Sequence, residues 1–394
     1  MVLAILAALC ILAYLPTLRQ PLLEDDYPNL AQSQQYGAPG EVPELMGSVF
    51  RLRATSEWLF YAMYRNFGVD PAPYYCVAIA LHVLCTWLVY ALGLWPRLGY
   101  RVSGWAAVFF AVYEGHQEAV MWFSACNELL QFLFGAAALV CWLHFLWGER
   151  RRGWWYAGSL ACFAAALISK ESAAVFAALM VLPFVDRRRS WAALAPFFVL
   201  AASAAISVYL SRDNSFRFQD GSFSLHAPFW RTLPLNYWRL FWFWGLIALV
   251  VARQRAYLGL IWAGIGLLPY IFLTYSAQIP SRQLYLASAG LALVVGAAMA
   301  SLRARRAVIA AICCVVVAEN GGYLWIKKRR QFLERAAPTE QLIAYAKQCE
   351  GPVIIRCFPR ARLIAEEAVR LGASKTDVIW NENAGEGFCY RGKY

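Results

Sequence analysis

Charge is scarce in this chain. Only 15% of its 394 residues are Asp, Glu, Lys or Arg while 61% are hydrophobic, a balance that excludes a soluble globule with a polar surface. What remains is an integral membrane protein. Zinc-ligand spacing and a disulfide framework are also lacking among the 11 cysteines. Cys10, Cys76, Cys85, Cys126, Cys141, Cys162, Cys313 and Cys314 fall in or beside apolar runs, where cysteine behaves as a small hydrophobe. Only Cys349, Cys357 and Cys389 lie in a soluble-looking region, so at most one disulfide is expected among them. The first apolar run, residues 2–18, has neither a basic flank nor a small-residue cleavage site, and reads as an uncleaved helix. No internal repeat is visible.

The net charge of +12 would suggest nucleic acid in a soluble protein, but the arginines argue otherwise. They gather in short loops between apolar runs: Arg97 and Arg101, Arg150 to Arg152, Arg187 to Arg189, Arg253 and Arg255, and Arg303, Arg305 and Arg306. Such clusters mark cytoplasmic loops, so no nucleic-acid partner is expected. A helix crosses the hydrocarbon with about twenty apolar residues, and on that rule the chain holds about eleven spans. Their cores are 2–18, 74–95, 102–114, 122–147, 154–169, 172–185, 191–210, 237–251, 256–275, 285–301 and 307–326. Placing the arginine clusters on one side makes the N-terminus cytoplasmic and the C-terminal tail non-cytoplasmic; Lys327, Lys328, Arg329 and Arg330 are then discordant. The fold class expected is an all-α polytopic membrane protein, residues 1–330, with a small α/β appendage over 331–394. In the appendage a helix is expected to start at Pro338-Thr339-Glu340, with strands at 353–355 and 377–380 and an amphipathic helix at 360–371. It holds no nucleotide-binding glycine motif.

The polar residues that need a reason collect at the opposite face from the arginine loops. Glu24, Asp25 and Asp26 follow the first span; they are either a solvated helix end or a base at the mouth of a membrane pocket. Arg51 and Arg53 come next, followed by an aromatic stretch, 56–65, too short to span and suited to an interfacial helix. The turn Tyr113-Glu114-Gly115-His116-Gln117-Glu118 holds His116 and Glu118 only two apart, a weak metal signal and an ordinary hydrogen-bonded turn on the blander view. Lys170 and Glu171 either neutralise each other or leave Lys170 as a compact charge for a phosphate. Arg282, alone before the 285–301 span, either snorkels to headgroups or binds an anion. His82, inside the second span, reads as a packed interhelical residue. The loop 211–239 is aromatic and basic, as an interfacial belt is. A carboxylate near cations at a lipid surface suits transfer from a membrane-anchored phosphate donor to a hydroxyl.

Several of these segments resemble the GT-C glycosyltransferases, in particular the protein O-mannosyltransferase-like branch that includes the transmembrane TPR-containing mannosyltransferases. Asp25-Asp26 is similar to that family's acidic motif, and Phe50-Arg51-Leu52 to its Phe-Arg-Pro segment, with Leu52 in place of proline. Asp70-Pro71-Ala72-Pro73-Tyr74-Tyr75 and Leu81-His82-Val83-Leu84 resemble its second span. Gly115-His116-Gln117-Glu118-Ala119-Val120 resembles its His-Pro-x-His-x-Glu-Ala-Val turn, with Tyr113 and Glu114 replacing the first His and the Pro. Ser169-Lys170-Glu171 and the run from Arg282 to Gly290, with Ala287 where proline is usual, are similar to two further segments. The likeness covers roughly the first three hundred residues; the appendage is not a TPR array.

The resemblance implies inverting transfer of a sugar from a polyprenyl-phosphate-linked donor to a glycan, lipid or protein hydroxyl on the non-cytoplasmic face. An Asp, Asp25 in preference to Asp26, would be the base. Arg51, Lys170, Arg282 and Tyr285 would face the donor phosphate, and His116, Glu118 and Glu171 the substrates. No cofactor is required, since cations of the chain can neutralise the leaving phosphate. Outer loops without an Asn-x-Ser/Thr acceptor favour a bacterial plasma membrane. The competing reading is a transporter or flippase of a lipid-linked sugar, or an inactive scaffold of the same fold; transporters place charges at the midplane and show inverted repeats, which this chain does not.

Overall fold

The computed structural model describes residues 1–36, 53–187, 191–210, 223–224, 226–273, 280–302 and 305–392. Among them, seven helical stretches are long and apolar enough to cross a membrane: Val2–Arg19, Pro71–Leu94, Phe123–Trp147, Trp191–Leu210, Trp244–Tyr270, Ser281–Ser301 and Ala307–Gln348. The chain is a multi-pass membrane protein. Shorter helices fill the remaining expected positions: Gly99–Val112, Arg152–Ser169 and Phe176–Asp186. The stretch 244–270 is two helices, Trp244–Ala252 and Tyr257–Leu267, joined by a single tight turn at Arg253–Ala256. The interfacial segment forms the helix Ala54–Phe67, with Phe60 and Met63 buried and Trp58 and Phe67 exposed.

Local chemistry explains where the helices begin and how closely they pack. Pro71–Ala91 starts with proline in its first turn, where no N–H is needed, and with Asp70 accepting a hydrogen bond from the Ala72 N–H at 3.3 Å. The centre of the bundle is Ser281–Ser301, 89% buried over its apolar window, against 11% for Trp191–Leu210 on the periphery. It is rich in Ala and Gly because its neighbours press on its backbone. A Cβ at Gly290 would collide with the Gly259 carbonyl and the Ala263 amide of the Tyr257–Leu267 helix, and one at Gly259 with the Gly290 carbonyl. Van der Waals contact at such a crossing replaces the hydrophobic drive that lipid removes.

The arginine loops converge at one end. Arg97 pairs with Asp186 at 2.6 Å and donates to the Tyr257 hydroxyl at 2.9 Å, and Arg255 donates to Ser301 Oγ at 3.2 Å. The acids, Lys170 and Arg282 lie at the other.

The C-terminal region departs from expectation in two respects. Helix formation is not interrupted after the last span: Arg306–Gly322, a π-helical turn at Tyr323–Lys328 and Arg329–Gln348 follow without a break, and Pro338 sits inside the last of these. No helix starts at Pro338-Thr339-Glu340. A buried stripe of Phe332, Ala336, Leu342, Ile343 and Ala346 carries the helix through the proline, whose missing N–H costs less than exposing that stripe would. The line drawn at residue 330 falls within this helix. The strands appear as expected, β1 Val353–Cys357 and β2 Val378–Trp380, with the helix Arg362–Ala373 as the crossover between them. An unexpected third strand, β3 Phe388–Cys389, completes a parallel sheet of order β2-β1-β3. Cys357 and Cys389 form the single disulfide and tie β1 to β3. Leu342 and Ala346 of the long helix belong to the same small core as Val353, Ile355, Ala365, Val369 and Phe388, so the membrane helix is also one wall of the appendage.

Candidate active site

The acid loop is placed by its flanks. Tyr75 Oη of the second span donates to the Pro21 carbonyl at 2.7 Å, and the backbone then turns sharply through Glu24, whose φ is 31°. Non-glycine residues rarely occupy that region, and tertiary contacts must hold it. The turn sends the next two carboxylates in opposite directions. Asp26 is fully buried: its Oδ2 accepts from the Leu23 N–H at 2.7 Å, and its Oδ1 from the Ser124 N–H at 2.7 Å and from the Ser124 hydroxyl. Burial pushes its carboxyl up to about 7, against these three donors, which pull it down. Asp25 is exposed to a cavity of about 750 Å³. Desolvation by the cavity walls and then the charge of Glu24 raise its carboxyl above the ordinary value, while Arg282, Arg335 and Arg360 oppose the rise.

The same cavity receives Arg53, Lys170, Glu171 and Arg282, together with Glu128 and Tyr270. Lys170 and Glu171 each have a further partner of opposite charge. Lys170 Nζ pairs with Glu128 and lies over the Tyr270 ring, whose hydroxyl donates to Glu128 Oε2 at 3.1 Å; Gln131 Nε2 donates to the same carboxylate. Glu171 pairs with Arg53 at 3.4 Å. Two spans and the interfacial helix are thus joined by ion pairs at the cavity wall. Arg282 differs: its guanidinium stacks on Trp122 at 4.6 Å, and among the described residues no carboxylate lies within ion-pair distance of it. A half-buried cation held by an indole is well prepared for an anion that arrives with a substrate. The rest of the lining includes the apolar Ala205, Val208, Leu268, Phe272 and Leu273.

Other residues singled out from the sequence lie outside the cavity wall. His116 is buried, with Nε2 and Ser288 Oγ 2.6 Å apart, and Tyr285 is buried with its hydroxyl 2.7 Å from His82 Nδ1. Their rings pack with Phe110 into one aromatic cluster, so both support the start of the Tyr285–Ser301 helix from inside the bundle. His82 is the packed interhelical residue expected. Glu118 Oε2 accepts from the Arg282 N–H at 3.1 Å and fixes that residue's backbone. Arg51 lies outside the described residues. Sequence reasoning missed Glu128, an acid in the first turn of a span and therefore as anomalous as Asp25; it also missed Arg335 and Arg360, which lie outside the apolar runs.

Neither a family model nor a curated protein matches this chain. Solved structures do. ArnT from Cupriavidus metallidurans bound to undecaprenyl phosphate superposes with a TM-score of 0.58 at 11% identity, over 96% of this chain and 85% of ArnT. The archaeal oligosaccharyltransferase AglB from Archaeoglobus fulgidus, in complex with an inhibitory peptide and a dolichol-phosphate, superposes with a TM-score of 0.55 at 12% identity, over 96% of this chain and 64% of AglB. The chain has the GT-C fold. Within the GT-C fold the likeness does not select the mannosyltransferase branch.

Proposed function

We propose that this protein transfers a sugar from a polyprenyl-phosphate-linked donor to a hydroxyl acceptor at the non-cytoplasmic face of a bacterial plasma membrane. The observation that carries the reading is the meeting of Asp25 and Arg282 in one cavity whose lining is part polar and part apolar. Asp25 accepts the acceptor's proton as its oxygen bonds to the anomeric carbon; the carbon–oxygen bond to phosphate breaks and the electron pair leaves with the phosphate. Arg282 takes the developing charge, and Lys170 and Arg53, already held by Glu128 and Glu171, supply a positive wall. The apolar lining suits a polyprenyl chain, in keeping with the undecaprenyl phosphate of ArnT and the dolichol-phosphate of AglB. The proposed orientation is supported by the arginine loops at the opposite end and by the Cys357–Cys389 disulfide, a bond favoured in an oxidising compartment.

In vesicles carrying the purified protein and a polyprenyl-phosphate sugar, Asp25→Asn is expected to lower transfer by about 10²–10⁴-fold, the range for losing a general base. Wild-type transfer rates in that variant overturn the assignment. Movement of the lipid-linked sugar across the bilayer without transfer would identify a flippase instead.

A further inference from the structure

Glu24 is the immediate neighbour of Asp25, and both of its carboxylate oxygens are engaged by the C-terminal region. Arg360 Nη2 reaches Oε1 at 2.6 Å; Arg335 Nη2 reaches Oε2 at 3.0 Å. Arg335 belongs to the long helix Arg329–Gln348 and also stacks on Trp122 at 4.7 Å, the same indole that holds Arg282. Arg360 immediately precedes Ala361, Leu363 and Ile364, which line the cavity, Leu363 remaining 56% exposed there. The domain therefore does two things at once: it closes one wall of the cavity and delivers two cations to the acid beside the base.

We propose that Arg335 and Arg360 are positioning residues: by pairing with Glu24 they offset its charge on Asp25, so that the base gives up its proton more readily while the C-terminal domain is seated on the cavity. This rests on the reading of Asp25 as the base. The charged groups facing Asp25 are Glu24 and Asp26 on its own loop, Arg282 from the central span, Arg335 from the long helix, whose guanidinium also lies 3.9 Å from Glu118 Oε1, and Arg360 from the domain; Arg53, Glu128, Lys170 and Glu171, paired among themselves, line the same cavity. Two of the three cations facing Asp25 thus come from the C-terminal region. When the domain lifts, Glu24 is left unpaired next to Asp25, and like charges at adjacent positions favour protonation of one of them.

The test reads protonation without requiring turnover. A hydrophobic carbodiimide reacts with protonated carboxyls; labelling of full-length protein across pH, quantified at Asp25 by tandem mass spectrometry, gives the midpoint. In Arg335→Gln/Arg360→Gln the midpoint is expected to rise by about one pH unit, about tenfold less ionised Asp25 at a given pH. Adding Glu24→Gln returns it, and Arg335→Lys/Arg360→Lys leaves it at the wild-type position. An unmoved midpoint in the double variant overturns the proposal. So does a raised midpoint that Glu24→Gln fails to reverse, since the arginines would then serve only to hold the domain. If the double variant does not fold, Arg360→Gln alone must shift the midpoint the same way by less, and no shift overturns the pairing. Transfer measured in parallel separates the two layers: its acid limb must move with the labelling midpoint, and a labelling shift with transfer unmoved overturns Asp25 as the base rather than the charge pairing.

Discussion

Asp25 and Asp26 are adjacent in the chain, and the strained turn at Glu24 leaves one in the cavity and the other inside the protein. Their substitutions separate accordingly. Asp26→Asn keeps one oxygen for Ser124 but sets an amide N–H₂ against the Leu23 N–H, two donors face to face, which costs about 1–3 kcal/mol. Thermal unfolding in detergent is expected to show that loss, and Asp25→Asn to leave unfolding nearly unchanged. The pH dependence has a definite sign. Asp26 is raised in the folded state from 3.8 to about 7, so its contribution is fully present below 3.8 and is lost as pH rises through about 7; Asp26→Asn removes that slope. Asp25, Lys170, Glu171 and Arg282 were legible in the sequence because a charge bordering an apolar run needs a partner or a task, and all four reach the cavity. His116 and Tyr285 show the limit of that argument. A polar side chain in a bundle is also stabilised by another polar side chain, as Tyr285 is by His82 and His116 by Ser288, and residue type does not distinguish the two cases. Arg335 and Arg360 were invisible for a different reason: their partner, Glu24, is distant in sequence, and only the fold brings them to it.

Elements were easier to read than contacts. The hydropathy pattern places most of the helices within a few residues, because length and polarity decide what a bilayer accepts, but the span expected at 237–251 is divided between the helices Phe229–Phe241 and Trp244–Ala252. It misplaces the end of the last span because Lys327 to Arg330 and Pro338 look like a stop and a restart, while the helix is carried through both by its buried stripe. Close packing of Tyr257–Leu267 on Tyr285–Ser301 is the most sensitive element contact, since glycine backbones touch there. Gly290→Leu must push the two helices apart; overpacking of this kind costs about 1–3 kcal/mol or more. A lowered unfolding temperature, together with reduced transfer as Arg282 at the head of the same helix is displaced, is the expected outcome. An unfolding temperature equal to wild type would mean the crossing is looser than described.

For the molecule as a whole, one end carries the arginine loops and the other the cavity that holds Asp25, and the disulfide-bonded domain lies at the cavity end. A reporter that acquires activity only in an oxidising compartment, fused after residue 394, is expected to be active, and the same reporter in the loop at 187–189 inactive. The reverse pattern overturns the orientation. The unbroken helix through 307–348 gives this arrangement a scale. At about 1.5 Å per residue its 42 residues measure about 63 Å, and about 30 Å of that suffices for the hydrocarbon layer. The remainder extends past the acid loop, where Arg335 pairs with Glu24, to the small sheet, against which Leu342 and Ala346 pack. The π-helical turn at Tyr323–Lys328 and Pro338 interrupt the helix's regular ladder, and a bend there would carry Arg335, the small domain or both away from Glu24.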